Sequence, residues 1–153
     1  MAKPKPLVQV ATICENVLTE PDKVSSVIRI VDTMYLSLPE GLQLPEGEVG
    51  AVQLKVFVSI KSGDVTGEFD IPVILRSPSG KKVELPNKWH VSLHGGENGS
   101  TLKIEFILPV KEFGLYWFDV MWEGEALTSL PLKLVAGQQP GTEALEKQKA
   151  SSV

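Results

Sequence analysis

Cysteine is almost missing from this chain: Cys14 is the only one, so no internal disulfide can staple the fold. Long apolar runs are missing too, and no stretch approaches the ~20 consecutive apolar residues that a membrane-spanning helix requires. The opening Met1-Ala2-Lys3-Pro4-Lys5-Pro6-Leu7 is basic, but the run from Leu7 to Cys14 holds Gln9 and Thr12. That run lacks the uninterrupted apolar core of a secretory signal. A cytoplasmic protein without a membrane role is the expectation. Positive charge is in deficit, with 15 Lys and Arg against 19 Asp and Glu for a net −4. Such a balance argues against nucleic acid held on a basic face.

Motifs that carry chemistry are equally scarce. His90 and His94 are the only histidines. On one strand they share a face but stand about 13 Å apart, too far for a common metal ion. Cys14 closes an apolar strand, where a cysteine behaves as a small buried hydrophobe with an unactivated thiol. No G-x-S-x-G nucleophile elbow occurs. Gly95-Gly96-Glu97-Asn98-Gly99 lacks the lysine and the helix of a phosphate loop, and Asn98-Gly99-Ser100, although it fits a glycosylation sequon, reads as a turn. Asp22, Asp32, Asp64, Asp70 and Asp119 are scattered and form no calcium loop. No catalytic residue, metal ligand or cofactor is expected.

What is present is alternation. Of 153 residues 42% are apolar, enough for one domain that needs no disulfide or metal to hold its core. The 13 glycines and 11 prolines fall between short apolar runs, as turns punctuate an all-β chain. Val52, Leu54, Val56, Val58 and Ile60 alternate with Gln53, Lys55, Phe57 and Ser59. The same period of two recurs in Phe69–Leu75, Leu102–Leu108 and Tyr116–Trp122, and Ala126–Val135 reads as a returning strand. Ser62-Gly63-Asp64, Ser79-Gly80 and Glu123-Gly124 read as hairpin turns. Leu7–Cys14 and Val24–Leu36 are apolar on both alternations, as strands covered on both sides would be. Pro72 and Pro131, each lacking an N–H, are placed near sheet edges.

Seven to eight strands, roughly, with no internal helix predict an antiparallel two-sheet β-sandwich of immunoglobulin-like type; a jelly roll or C2-like sandwich is the second choice. No Cys…Trp…Cys framework supports a true antibody-type domain. The chain divides into a flexible arm at 1–6, a sandwich at 7–135 and a polar tail at 136–153, with a long loop over Ser37–Gly50.

Two segments carry a resemblance. The first third reads Val10-Ala11-Thr12-Ile13-Cys14-Glu15-Asn16-Val17 and then Asp22-Lys23-Val24-Ser25-Ser26-Val27-Ile28. The last third reads Gly114-Leu115-Tyr116-Trp117-Phe118-Asp119-Val120, Glu123-Gly124-Glu125 and Leu130-Pro131-Leu132. Together they resemble a family of small bacterial β-sandwich proteins known as a domain of unknown function. In it a Cys-acid pair ends a strand, a serine hairpin follows, and the last strand holds a proline. The family has glycine after the serine hairpin, where Arg29 and Ile30 stand here. The resemblance implies a sandwich in a bacterial cytoplasm and transfers no catalytic residue.

One irregularity in the alternation points to function. Phe57, Ile107, Leu115, Trp117 and Met121 fall on the otherwise polar face of their strands, and Ile74 points the same way. If those strands are neighbours, the side chains form an outward apolar patch of the kind that marks a partner surface. The other arrangement has the Ser37–Gly50 loop or the N-terminal segment lying over that face. Trp89 is a second candidate anchor or a plug at the sandwich end. The first function class is therefore a non-catalytic interaction or structural module that docks on another protein, or on itself, through a sheet face or edge strand. The alternative is a carbohydrate-type binder stacking sugars on Trp89, Trp117 or Trp122. An enzyme whose site is assembled from distant residues comes third.

Overall fold

The computed structural model describes residues 3–37 and 47–138. The expected Ser37–Gly50 loop and the 136–153 tail lie largely outside the described residues. Among the described residues nine strands follow in chain order: β1 (Leu7–Thr19), β2 (Ser25–Ile30), β3 (Thr33–Leu36), β4 (Gly50–Ile71), β5 (Val73–Arg76), β6 (Lys82–Glu84), β7 (Trp89–Val110), β8 (Gly114–Trp122) and β9 (Glu125–Ala136). They form a sheet of order β2-β1-β4-β7 facing one of order β3-β9-β8-β5-β6. The architecture is the all-β, immunoglobulin-like two-sheet sandwich expected from the sequence, with two differences: nine strands are described where the pattern predicts seven to eight, and β3 pairs parallel with β9 in an otherwise antiparallel arrangement.

The core is built by the strands whose pattern is cleanest. Leu54, Val56, Val58 and Ile60 of β4 meet Phe118, Val120, Leu132 and Leu134 of the opposite sheet, all of them buried. Phe106 and Phe118 touch across the interior with ring centres 4.8 Å apart. Tyr116 is buried at the start of β8, and its hydroxyl donates a 2.6 Å hydrogen bond to the carbonyl of Glu112. That is the tyrosine corner of immunoglobulin-like sandwiches, where a tyrosine bonds back to the backbone just upstream. Two residues later, where disulfide-bearing domains carry a cysteine, stands the fully buried Phe118. Apolar volume replaces the missing disulfide.

Several local expectations are corrected. Phe69–Leu75 is not one strand. Pro72 separates β4 from β5, and the chain crosses there from one sheet to the other. Pro131 lies within β9, an interior strand, but β3 pairs only with Lys133 to Ala136, so the proline faces no neighbour's ladder on that side. Val24–Leu36 divides into β2 and β3, and Ile28 and Ile30 of β2 are exposed. Ser62-Gly63-Asp64 is a bulge inside β4 and not a hairpin turn.

That bulge shapes the whole sheet. β4 and β7 pair from Gly50↔Val110 to Ile71↔Trp89, with register shifts on either side of Gly63, which faces Gly96. Gly63 and Gly96 have φ of 57° and 63°, so the left-handed backbone of the bend is accommodated without a Cβ penalty. A Cβ at Gly99 would collide with the Ile60 carbonyl, so that residue holds the two strands close.

Candidate functional site

The six side chains singled out in the sequence do not form one patch. Phe57 and Ile107 belong to the four-stranded sheet, whereas Leu115, Trp117 and Met121 lie on β8 of the five-stranded sheet. The two sets point outward on opposite sides of the sandwich. Alternation separates inward from outward but is silent on which sheet a strand joins.

Phe57 is only 6% exposed, which removes it from any open surface. Its cover is the N-terminal hairpin. Thr12, Phe57 and Lys103 share one row of the sheet. A straight β1 would carry Thr19 about 23 Å beyond that row. Instead Thr19 Oγ1 accepts a 2.7 Å bond from Lys103 Nζ, and Asn16 Oδ1 accepts a 2.8 Å bond from Lys55 Nζ. The outer half of β1, with β2, therefore folds across the outer face of β4 and β7. Cys14 lies fully buried where the hairpin departs, and burial pushes its thiol up despite the charge of Lys55, so it stays protonated. Ile107, 68% exposed, stands on the same outer face.

The outer face of the five-stranded sheet carries the other set. Register places Arg76, Trp117 and Pro131 in one row and Ile74, Asp119 and Ser129 in the next. Asp119 is 8% exposed, unusual for a carboxylate on the outward side of a sheet. Arg76 donates to it through Nε at 2.6 Å and Nη2 at 3.0 Å, and Ser129 Oγ donates at 2.6 Å. Burial pushes the Asp119 carboxyl up, but the bonds from Arg76 and Ser129 and the charges of Arg76 and Lys82 together hold it below its ordinary value. The guanidinium of Arg76 also lies over Trp117, 5.5 Å from the ring centre. On the same side of β8, Leu115 stands two residues before Trp117 and Met121 two after Asp119, while Ile74 shares the Asp119 row; Leu115 is 43% exposed. No signal in the sequence marked Arg76, Asp119 and Ser129 as a group, because they come from three strands brought together by register alone.

Chemically, this cluster holds its parts still. Three donors occupy the Asp119 carboxylate, so it is not a free base, and Ser129 spends its proton on it. Trp122, one of the three tryptophans weighed as sugar platforms, is buried against Phe69 with ring centres 4.4 Å apart. Trp89 packs half-buried against the core, at a groove along the free edge of β7. His90 is bound by Asp70, Nδ1 to Oδ1 at 2.7 Å, and this bond raises its affinity for a proton. Among the described residues no three His, Cys, Asp or Glu side chains converge as a metal site.

Fold and surface define a small immunoglobulin-like sandwich whose five-stranded sheet has a partly apolar outer face. No protein-family model and no curated protein matches the chain. Among solved structures it is similar to a β-glucosidase from Listeria innocua in complex with glucose, with TM-score 0.43 and 16% identity over 88% of this chain. A variant of that enzyme in complex with laminaribiose gives 0.46 and 19%. The chain spans 17% of the length of these β-glucosidase chains. An immunoglobulin-like protein from Pseudomonas aeruginosa aligns over 88% of this chain and 99% of its own, with TM-score 0.39 and 12% identity. Nothing about activity follows from likeness at this level.

Proposed function

We propose that this chain is a non-catalytic interaction module that binds a protein partner through the outer face of its five-stranded sheet, with Trp117 at the centre. One observation carries the reading: Arg76 is clamped by Asp119 and laid over Trp117, so a tryptophan and an arginine stand in fixed positions among apolar neighbours. Trp and Arg are the residue types that dominate binding energy at protein interfaces, and side chains already ordered lose little entropy on docking. Arg76 lies over one face of the Trp117 ring, 5.5 Å from its centre, so that face is taken by a cation.

The test is to place Leu115→Glu and, on the opposite side of the sandwich, Ile107→Glu in the full chain. Complexes are then followed by in-cell crosslinking and sedimentation. Loss of the complex with Leu115→Glu, its survival with Ile107→Glu, and unchanged thermal unfolding of both variants are expected. A chain that sediments as a monomer and crosslinks to nothing, or a complex indifferent to Leu115→Glu, would sink the reading.

A further inference from the structure

The bend in β7 creates a second feature. On a straight strand Trp89 and Ile104 would lie about 50 Å apart. Here they line one groove of about 720 Å³, together with Lys23 from the hairpin tip, Lys88, and the stretch Thr101 to Glu105. Leu102 and Ile104 line this groove although both are buried in the core, at 3% and 8% exposure. With their side chains turned inward, what they present to the groove is main chain. β7 is the last strand of its sheet, and among the described residues no backbone group pairs with the far edge of 101–105. Unpaired N–H and C=O groups in a walled groove are a template for one more strand.

Charge narrows the occupant. The groove is lined by Lys23, Lys88 and Lys103, the last of which gives one hydrogen bond to Thr19. Its one lining carboxylate, Glu105, is engaged by the Gln53 amide, and the lining His90 holds Asp70 at 2.7 Å with Glu68 at 3.9 Å. Lys88 has only a loose contact with Glu84, at 3.7 Å. This excess of cations stands on a chain whose net charge is −4, so it is a local feature and not a general one.

We infer that the free edge of β7 between Trp89 and Lys103 binds an extended acidic peptide by strand addition, main chain pairing with 101–105 and carboxylates meeting the three lysines. The surface is separate from the Trp117 face and does not depend on it.

The probe is a fluorescein-labelled octapeptide of alternating glutamate and valine, with a lysine-for-glutamate analogue and two analogues N-methylated at alternate residues in either register. Anisotropy and amide chemical shifts of the ¹⁵N-labelled full chain are read. Saturable binding with shifts centred on 101–105 is expected, at least tenfold weaker for the lysine analogue and lost for one of the two N-methylated registers. Lys88→Glu, which removes only the loose 3.7 Å contact with Glu84, weakens binding at least tenfold. Leu115→Glu leaves binding unchanged, which separates this proposal from the Trp117 face. Absence of binding, equal affinity for the lysine analogue, shifts centred elsewhere, or tolerance of both N-methylated registers overturns it. Inorganic phosphate reproducing the same shifts while the N-methylated peptides still bind would also overturn it, since the groove would then be a simple anion site.

Discussion

Arg76 holds Asp119 through two hydrogen bonds from neighbouring strands, 2.6 and 3.0 Å long, and in doing so lays its guanidinium over Trp117. The carboxylate is thus the fixed point from which the candidate docking surface takes its shape. Each strand alone contributes a residue with no evident purpose.

Asp119 has a folded pKa below its ordinary value. The stability it contributes is therefore complete above the ordinary carboxylate range and is lost as pH falls through the folded value. Urea unfolding of the wild type and Asp119→Asn should differ most at neutral pH and converge in acid. A gap that does not change with pH would show that the carboxylate's charge is not what matters.

His90 behaves with the opposite sign. The Asp70 hydrogen bond raises its pKa, with burial opposing and Glu68 assisting. Its contribution is present below the ordinary imidazole range and disappears as pH rises through the folded value. An NMR titration of His90 should show the midpoint moving down in Asp70→Asn.

The two outward apolar residues of the four-stranded sheet should respond very differently. Phe57 lies under the hairpin, and Phe57→Ala is expected to cost about 3–5 kcal/mol, as a truncated core phenylalanine does. Ile107→Ser, at an open position, should stay within about 0.5 kcal/mol. Chemical denaturation measures both.

Ser62 sits fully buried in the β4 bulge, and its hydroxyl has no partner among the described residues. Removing an unsatisfied buried hydroxyl relieves its desolvation cost. Ser62→Ala should leave stability unchanged or raise it by about 1 kcal/mol.

At the β8–β9 turn, Glu123 and Gly124 have φ of 45° and 87°. Both central residues are left-handed, and asparagine tolerates that backbone better than glutamate. Glu123→Asn should raise the unfolding free energy by about 0.5–1 kcal/mol, read from thermal or urea melts.

Much of the fold was legible from one-dimensional pattern. The alternations at Val52–Ile60, Leu102–Leu108 and Tyr116–Trp122 each became strands, and the Ser79-Gly80 and Glu123-Gly124 turns stand where glycine placed them. Arg29 is a local exception that pattern does not disclose. Its φ is 55°, a conformation glycine adopts freely, and the residue spends its side chain on a 2.9 Å ion pair with Glu15. The failures share a cause. Pro72 signals an edge in the sequence and marks a crossing between sheets in the fold, and Ser62-Gly63-Asp64 signals a hairpin and bends a continuous strand, because a local break in pattern does not say where the chain goes next.

Alternation by itself determined that this chain folds as two apolar-filled β-layers, since each residue step along a strand turns the side chain to the other face. Which outward residues meet was decided only by tertiary structure. Strand order and register brought Arg76, Trp117, Asp119 and Ser129 together from three strands, and the N-terminal hairpin folded over Phe57. Side-chain direction is a property of neighbouring residues, whereas sheet membership depends on contacts between residues far apart in the chain.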